Sequence, residues 1–237
     1  MSLNKRIIYG TMRMHSVKRS LSKWVYIFDE LTEKGVDSFH VSREYKSYKL
    51  FLEVFKKSKI NKINTNIYAK CYSPNFDEKI YSEKKLNTLI NYYLKDLNIS
   101  NINMQWMWRA NLDNENLRCK LFKDSFQMLN HSFSNLKKKK INEIYCFPYT
   151  TKFAKLTHKI SNIDGHTIYY NPDETSYRKF LGKKNIGIRP LFAGKMLDKY
   201  SFEDLMNFSL SEKKINKIML SINKIDNFKK LYSYLDV

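Results

Sequence analysis

Eight times along the chain, a short run of β-branched and aromatic residues precedes a segment whose apolar residues recur every three or four positions. The short runs are RIIYG (6–10), VDSFHV (36–41), INTNIYAKCY (63–72), INMQWMW (102–108), INEIYCF (141–147), HTIYYN (166–171), IGIRPL (186–191) and INKIML (215–220). Their length and composition predict strands. The segments between them predict helices. SLSKWVYIFDELTEKG (20–35) carries Leu21, Trp24, Val25, Phe28 and Leu31 on one stripe, and Gly35 reads as its C-terminal cap. EYKSYKLFLEVFKKS (44–58) follows, and SEKKLNTLINYYLKDL (82–97) puts Leu86, Leu89, Ile90, Tyr93 and Leu97 on one face. One long helix is predicted over 115–138, with shorter ones in TKFAKLTHKI (151–160), TSYRKFLGKK (175–184), SFEDLMNFSL (201–210) and DNFKKLYSYL (226–235). Ser201 and Asp204 resemble a capping box.

Eight βα units in 237 residues predict one (β/α)8 barrel domain over 1–237. The rival is a doubly wound open sheet, which usually has fewer strands. Its dinucleotide-binding form also needs a GxGxxG turn, and the chain has none. With 6 Gly and 4 Pro there is no linker-like stretch to mark a second domain.

The formal charge of +20 raises the possibility of a nucleic-acid partner. Only 8 of the 43 basic residues are Arg, and Lys is spread along the whole chain. Lys, Asn, Ile, Tyr and Phe share AT-rich codons, so the charge reads as compositional, not as a nucleic-acid footprint. The one dense cluster, LKKKKIN (136–142), suits a helix C-terminus, where cations complement the macrodipole. Cys71, Cys119 and Cys146 are scattered, without ligand spacing, which points to a reducing cytoplasm and away from a metal site. No apolar run approaches the ~20 residues of a membrane helix, and MSLNKRIIYG has no signal-peptide pattern. A cytoplasmic protein without a membrane partner is expected.

In such a barrel the active site lies at the C-terminal ends of the strands. Those ends carry His40 through Tyr45, Lys70, Met107 to Arg109, Phe147 and Pro148, Tyr170 and Asn171, Arg189, and Ser221. A Tyr beside a Lys has chemical meaning, because an ammonium stabilises the phenolate and makes the Tyr a better proton donor. With 17 Tyr and 35 Lys in the chain, however, some such pair is expected at any barrel mouth. Strand alternation puts Trp106 and Trp108 on one side, where Trp108 either lines a ligand pocket or caps the core. Arg109 and Arg189 are planar donors suited to an anionic ligand, or to salt bridges with loop acids. His15, His131, His158 and His166 form no metal-spaced cluster.

RIIYGTMRM, GVDSFHVSREYKSY, NIYAKCYSPNF, INMQWMW, INEIYCFPYTTKF, TIYYNPDE and GIRPLFAGKML stand in the order and spacing of aldo-keto reductase segments. The chain resembles that family over nearly its whole length, most specifically in YYNP and RPLFAG. The resemblance implies a (β/α)8 barrel, NADPH as cofactor, and hydride transfer between the nicotinamide and a carbonyl or alcohol. It assigns Tyr45 as proton donor and Lys70 as the residue that tunes it.

Other positions depart from the family pattern. The Asp five residues before the catalytic Tyr is His40, which could replace the missing His functionally by protonating near neutral pH, although beside Lys70 the two cations would depress each other's pKa. The family His at the end of the fourth strand falls on Met107 or Trp108. The Ser-Asn pair that holds the carboxamide is Phe147-Pro148, the Gln of the sixth strand is Thr167, and the stacking Tyr is Ile188. Leu220-Ser221 and Lys229-Lys230 stand where phosphate and adenine contacts are expected, so no cofactor-contact residue is carried over. The chain is also short for the family, and its end soon after Leu235 suggests that the closing tail is missing.

Three functions follow as expectations. The first is NADPH-dependent reduction of a small-molecule carbonyl by Tyr45, Lys70 and His40, with Trp108, Arg109 and Arg189 in the substrate pocket. The second is a degenerate barrel that has lost redox catalysis and binds another small ligand, such as an anion held by Arg109, Arg189, Lys195 and Lys70. The third is a nucleic-acid or acidic-partner binder driven by charge.

Overall fold

The computed structural model describes residues 2–180 and 184–236. Its eight strands are β1 (Ile7–Gly10), β2 (Ser38–Val41), β3 (Asn66–Tyr72), β4 (Ile102–Met107), β5 (Ile141–Phe147), β6 (Gly165–Tyr169), β7 (Asn185–Ile188) and β8 (Ile215–Leu220). They pair in parallel and in sequence order, and β1 closes on β8. This is the closed (β/α)8 barrel that the pattern predicts, and the open sheet is excluded.

The helices are α1 (Leu21–Glu33), α2 (Tyr48–Lys57), α3 (Glu83–Leu97), α4 (Glu115–Asp124), α5 (Phe126–Lys139), α6 (Thr151–Thr157), α7 (Phe202–Ser211) and α8 (Ile225–Leu235). Their ends follow local chemistry. Ser20, Ser82, Asn114, Thr150 and Ser201 each accept a bond from the backbone N–H three residues on, satisfying an orphan donor of the first turn. The Ser201 hydroxyl also donates to the Asp204 carboxylate at 2.6 Å. Gly35, at φ +80°, ends α1 in the left-handed conformation a side chain resists. The lysine run closes α5, where Lys137 pairs with Asp164 at 2.8 Å.

Three predicted helices are corrected. The segment 115–138 is two helices that meet at Ser125. The helix predicted from Glu44 starts at Tyr48. Before it the Tyr45 N–H donates to the Ser42 carbonyl (3.0 Å) and the Tyr48 N–H to the Tyr45 carbonyl (2.9 Å), making two successive turns. The Ser42 hydroxyl accepts from the Glu44 N–H at 3.3 Å, a local bond that competes with helix. The helix expected over 175–184 is a 3-10 turn, Ser176–Phe180, and its positions 181–183 lie outside the described residues.

Two apolar layers hold the barrel. The outward faces of the strands pack against the helices in one continuous core that includes Phe39, Trp106, Cys146, Ile168 and Ile218. Inside, Ile8, Tyr68, Tyr145 and Ile186 form a second cluster, with Ile188 and Met219 packed on it. Residues on the inward side beyond this plug open toward the C-terminal mouth, and there the candidate site is found. No helix of the described residues is long and apolar enough to cross a membrane.

Candidate functional site at the barrel mouth

Alternation on β2 sends Phe39 and Val41 outward into the core and leaves His40 on the inward side, 4% exposed. Lys70 of β3 lies opposite Gln105 of β4 in the ladder. The His40 Nε2 meets the Gln105 Oε1 at 2.9 Å. That oxygen can only accept, so Nε2 carries the proton and Nδ1 is left as the acceptor. The Tyr45 hydroxyl, brought over the mouth by the two turns after β2, donates to this Nδ1 at 3.5 Å. Gln105 carries no weight in the sequence reading. Its strand parity with Met107, inward on β4, is the signal that places it here.

A second group stands beside this relay. Arg109 follows β4, and its backbone N–H donates to the Pro74 carbonyl at 3.0 Å. Its Nη1 donates to both carboxylate oxygens of Glu44, at 2.7 and 2.6 Å. Lys70 Nζ lies 3.7 Å from the same Glu44 Oε2. The guanidinium of Arg109 is flanked by the rings of Tyr72 and Phe76, at 4.9 and 4.0 Å.

These contacts set the proton affinities. Burial lowers the His40 pKa from 6.5 to about 4; the Gln105 bond opposes this, and Lys70 adds to it. The expectation that His40 protonates near neutrality is thus corrected: a buried imidazole with a neutral partner stays neutral. Burial, with Glu44 next, raises the Tyr45 phenol above its usual range, and Arg109 offsets only part of this. Lys70 itself is lowered, first by burial and then by Arg109, with Glu44 opposing. Its Nζ is 5.6 Å from the Tyr45 ring centre and its charge is engaged by Glu44. Lys70 is not among the groups that shift the Tyr45 phenol.

Trp108 is not a pocket residue. It is fully buried on the outward side of the barrel, 6.3 Å from Trp106, 5.9 Å from Phe122 and 6.3 Å from Phe153. Its parity with Trp106 is as expected; the face they share is the helix side. Arg189 is exposed at φ +59° and lies 4.1 Å over the Tyr169 ring. Arg109 has become the ion-paired residue of the two. Lys195 is exposed in the 3-10 segment Phe192–Asp198 after β7.

The residues that stand where the aldo-keto reductase resemblance expects cofactor contacts offer few groups to hold a nicotinamide dinucleotide. Phe147 is buried against Tyr149 (4.6 Å) and Tyr169 (5.5 Å). Pro148 has no N–H, and its carbonyl accepts from Arg118 Nη2 at 3.3 Å. Ile188 offers no aromatic face, and Lys229 and Lys230 are exposed on α8. Thr167 Oγ1 is buried and without a hydrogen-bond partner. Two clefts, of about 340 and 210 Å³, lie elsewhere, one lined by Leu52, Phe55 and Asp96 and the other by Lys5, Val36 and Asn61. Among the described residues no three His, Cys, Asp or Glu side chains converge as metal ligands.

No protein-family model and no curated protein matches the chain in sequence. Solved structures do match its shape. An aldo-keto reductase from Bacillus halodurans in its holo form superposes with a TM-score of 0.71 at 16% identity, covering 98% of this chain and 87% of that one. An aldo-keto reductase from Brucella melitensis gives 0.70 at 14% identity, over 98% and 89%. The chain therefore has the fold of these aldo-keto reductases, at low sequence identity.

Proposed function

We propose that the protein binds a small oxygen-bearing molecule at the barrel mouth, over Tyr45, and has given up nicotinamide-dependent hydride transfer. The observation that carries this reading is the Phe147-Pro148 wall. Where the reductase pattern needs side-chain donors for a carboxamide, a phenyl ring is packed between two tyrosines, beside a residue with no N–H. The mouth keeps groups that recognise oxygen: the Tyr45 hydroxyl, held by His40 and Gln105, and the cations Lys70 and Arg109.

The reductase reading is the second, and two observations favour it. Tyr45 and Lys70 face the same mouth, and the free Thr167 hydroxyl sits at the family's carboxamide-contact position. In that reading Tyr45 is the proton donor to the carbonyl oxygen.

Turnover separates the two. With NADPH and a panel of aldehydes and ketones, the wild-type protein is expected to oxidise NADPH no faster than buffer does. Catalysis that falls about 100-fold or more in Tyr45→Phe, the range for loss of a general acid, would establish the second reading instead.

A further inference from the structure

We infer that Arg109 and Lys70 form a seat for a compact carboxylate, and that Glu44 fills this seat until a ligand displaces it. The inference rests on the reading that the mouth binds a small molecule, and it names the class of that molecule.

The two sides of the ion cluster are built differently. Arg109 is 8% exposed. It is pinned by its backbone bond to Pro74 and held between the Tyr72 and Phe76 rings, at 4.9 and 4.0 Å. Its Nε is buried and has no partner. Lys70 projects from the middle of β3. Arg109 is thus fixed before any ligand arrives, which removes much of the ordering cost of binding. Glu44 instead belongs to the turn between β2 and α2, and its side chain is 31% exposed. Its carboxylate can swing into water without disturbing a strand or a helix.

Charge points the same way. Two cations converge on one carboxylate oxygen, at 2.6 and 3.7 Å, so the cluster keeps a net positive charge. His40 beside it is neutral, and the tyrosines around it are protonated. A buried cation without a counter-ion is unfavourable, so the position calls for a carboxylate whether or not Glu44 supplies it. Lys70 Nζ lies 5.6 Å from the Tyr45 ring centre, so the phenol borders the seat. By turning its one proton away from His40 Nδ1, to which its bond is long at 3.5 Å, it can donate to a second oxygen of the ligand. The class that fits is a short carboxylate with a carbonyl or hydroxyl on the neighbouring carbon.

Calorimetric titration of pyruvate, lactate, acetate, acetone and inorganic phosphate into wild type, Glu44→Gln and Glu44→Asp tests this. Pyruvate and lactate should bind Glu44→Gln about tenfold tighter than wild type, because the internal competitor is gone while Arg109 and Lys70 remain. Adding Lys70→Met should reverse that gain. Glu44→Asp keeps the charge on a shorter arm and guards against a folding defect in Glu44→Gln; it too should bind pyruvate more tightly than wild type. Equal pyruvate affinity in wild type and both Glu44 variants would overturn the seat. Phosphate binding as tight as pyruvate would overturn its assignment to carboxylates. Binding of acetone with no response to any carboxylate would sink the seat and leave the small-molecule reading standing. NADPH turnover would sink that reading, and the Glu44 comparison could still be made.

Discussion

Trp108→Ala is expected to destabilise the protein by about 3–5 kcal/mol, the range for deleting a large buried aromatic, and to leave binding at the mouth unchanged. The indole is fully buried and packs on Trp106, Phe122 and Phe153, with Phe133 beyond Trp106. These rings come from β4, α4, α5 and α6, so their packing closes one side of the barrel against three helices. Truncation leaves a void that surrounding rings cannot fill without leaving their rotamers. The buried Trp108 Nε1 has no partner, so removing it relieves an unsatisfied donor and moves the cost toward the lower end of the range. Urea unfolding, with the slope checked against wild type, gives the number. A loss under about 1 kcal/mol together with weakened ligand binding would return Trp108 to the pocket.

Acid should destabilise the wild type more than His40→Gln, and the difference should open between pH 6.5 and about 4. The sign follows from where the proton goes. The folded chain keeps His40 neutral down to about pH 4, while the unfolded chain protonates it near 6.5. Between these values the unfolded state binds more protons, so stability falls as pH falls. The contribution is complete above 6.5 and is lost by about pH 4, and its full size is about 3 kcal/mol. Glutamine keeps a donor for Gln105 and does not titrate, so other acid-sensitive groups cancel in the comparison. Denaturant unfolding of both proteins at about pH 7.5 and about pH 4.5 should reveal most of the difference. Parallel pH profiles would mean that His40 is not the buried neutral group described above.

The barrel was legible in the chain because its cause is local. Each strand-length run of β-branched and aromatic residues, and each amphipathic stripe, carries its own period, and all eight strands lie within three residues of their predicted starts and ends. One misplaced helix boundary occurs where a serine supplies a competing bond, at Ser42; at the break before Phe126 the Ser125 side chain makes no capping bond. Trp108 was ambiguous for a different reason. Alternation shows that two residues share a face, but β4 is buried on both faces, and then the pattern cannot say which face is the interior. The site positions Tyr45, Lys70 and Arg109 could be read from strand ends. Their electrostatics could not, because the decisive partners are remote. Gln105 and Arg109 lie 65 residues from His40 and Glu44, and only the closed sheet brings them together.

Direct cofactor binding tests, without assuming a substrate, whether the mouth holds a nicotinamide dinucleotide. The melting temperature and tryptophan fluorescence should be followed as NADPH, and separately NADH, is raised to about 1 mM. A ligand at 100 times its Kd would add about 2.7 kcal/mol of stability and raise the melting temperature by several degrees. The account expects no shift and no quenching with either dinucleotide. A saturable rise with NADPH, weakened in Thr167→Val, would contradict it and place a working cofactor at the carboxamide position.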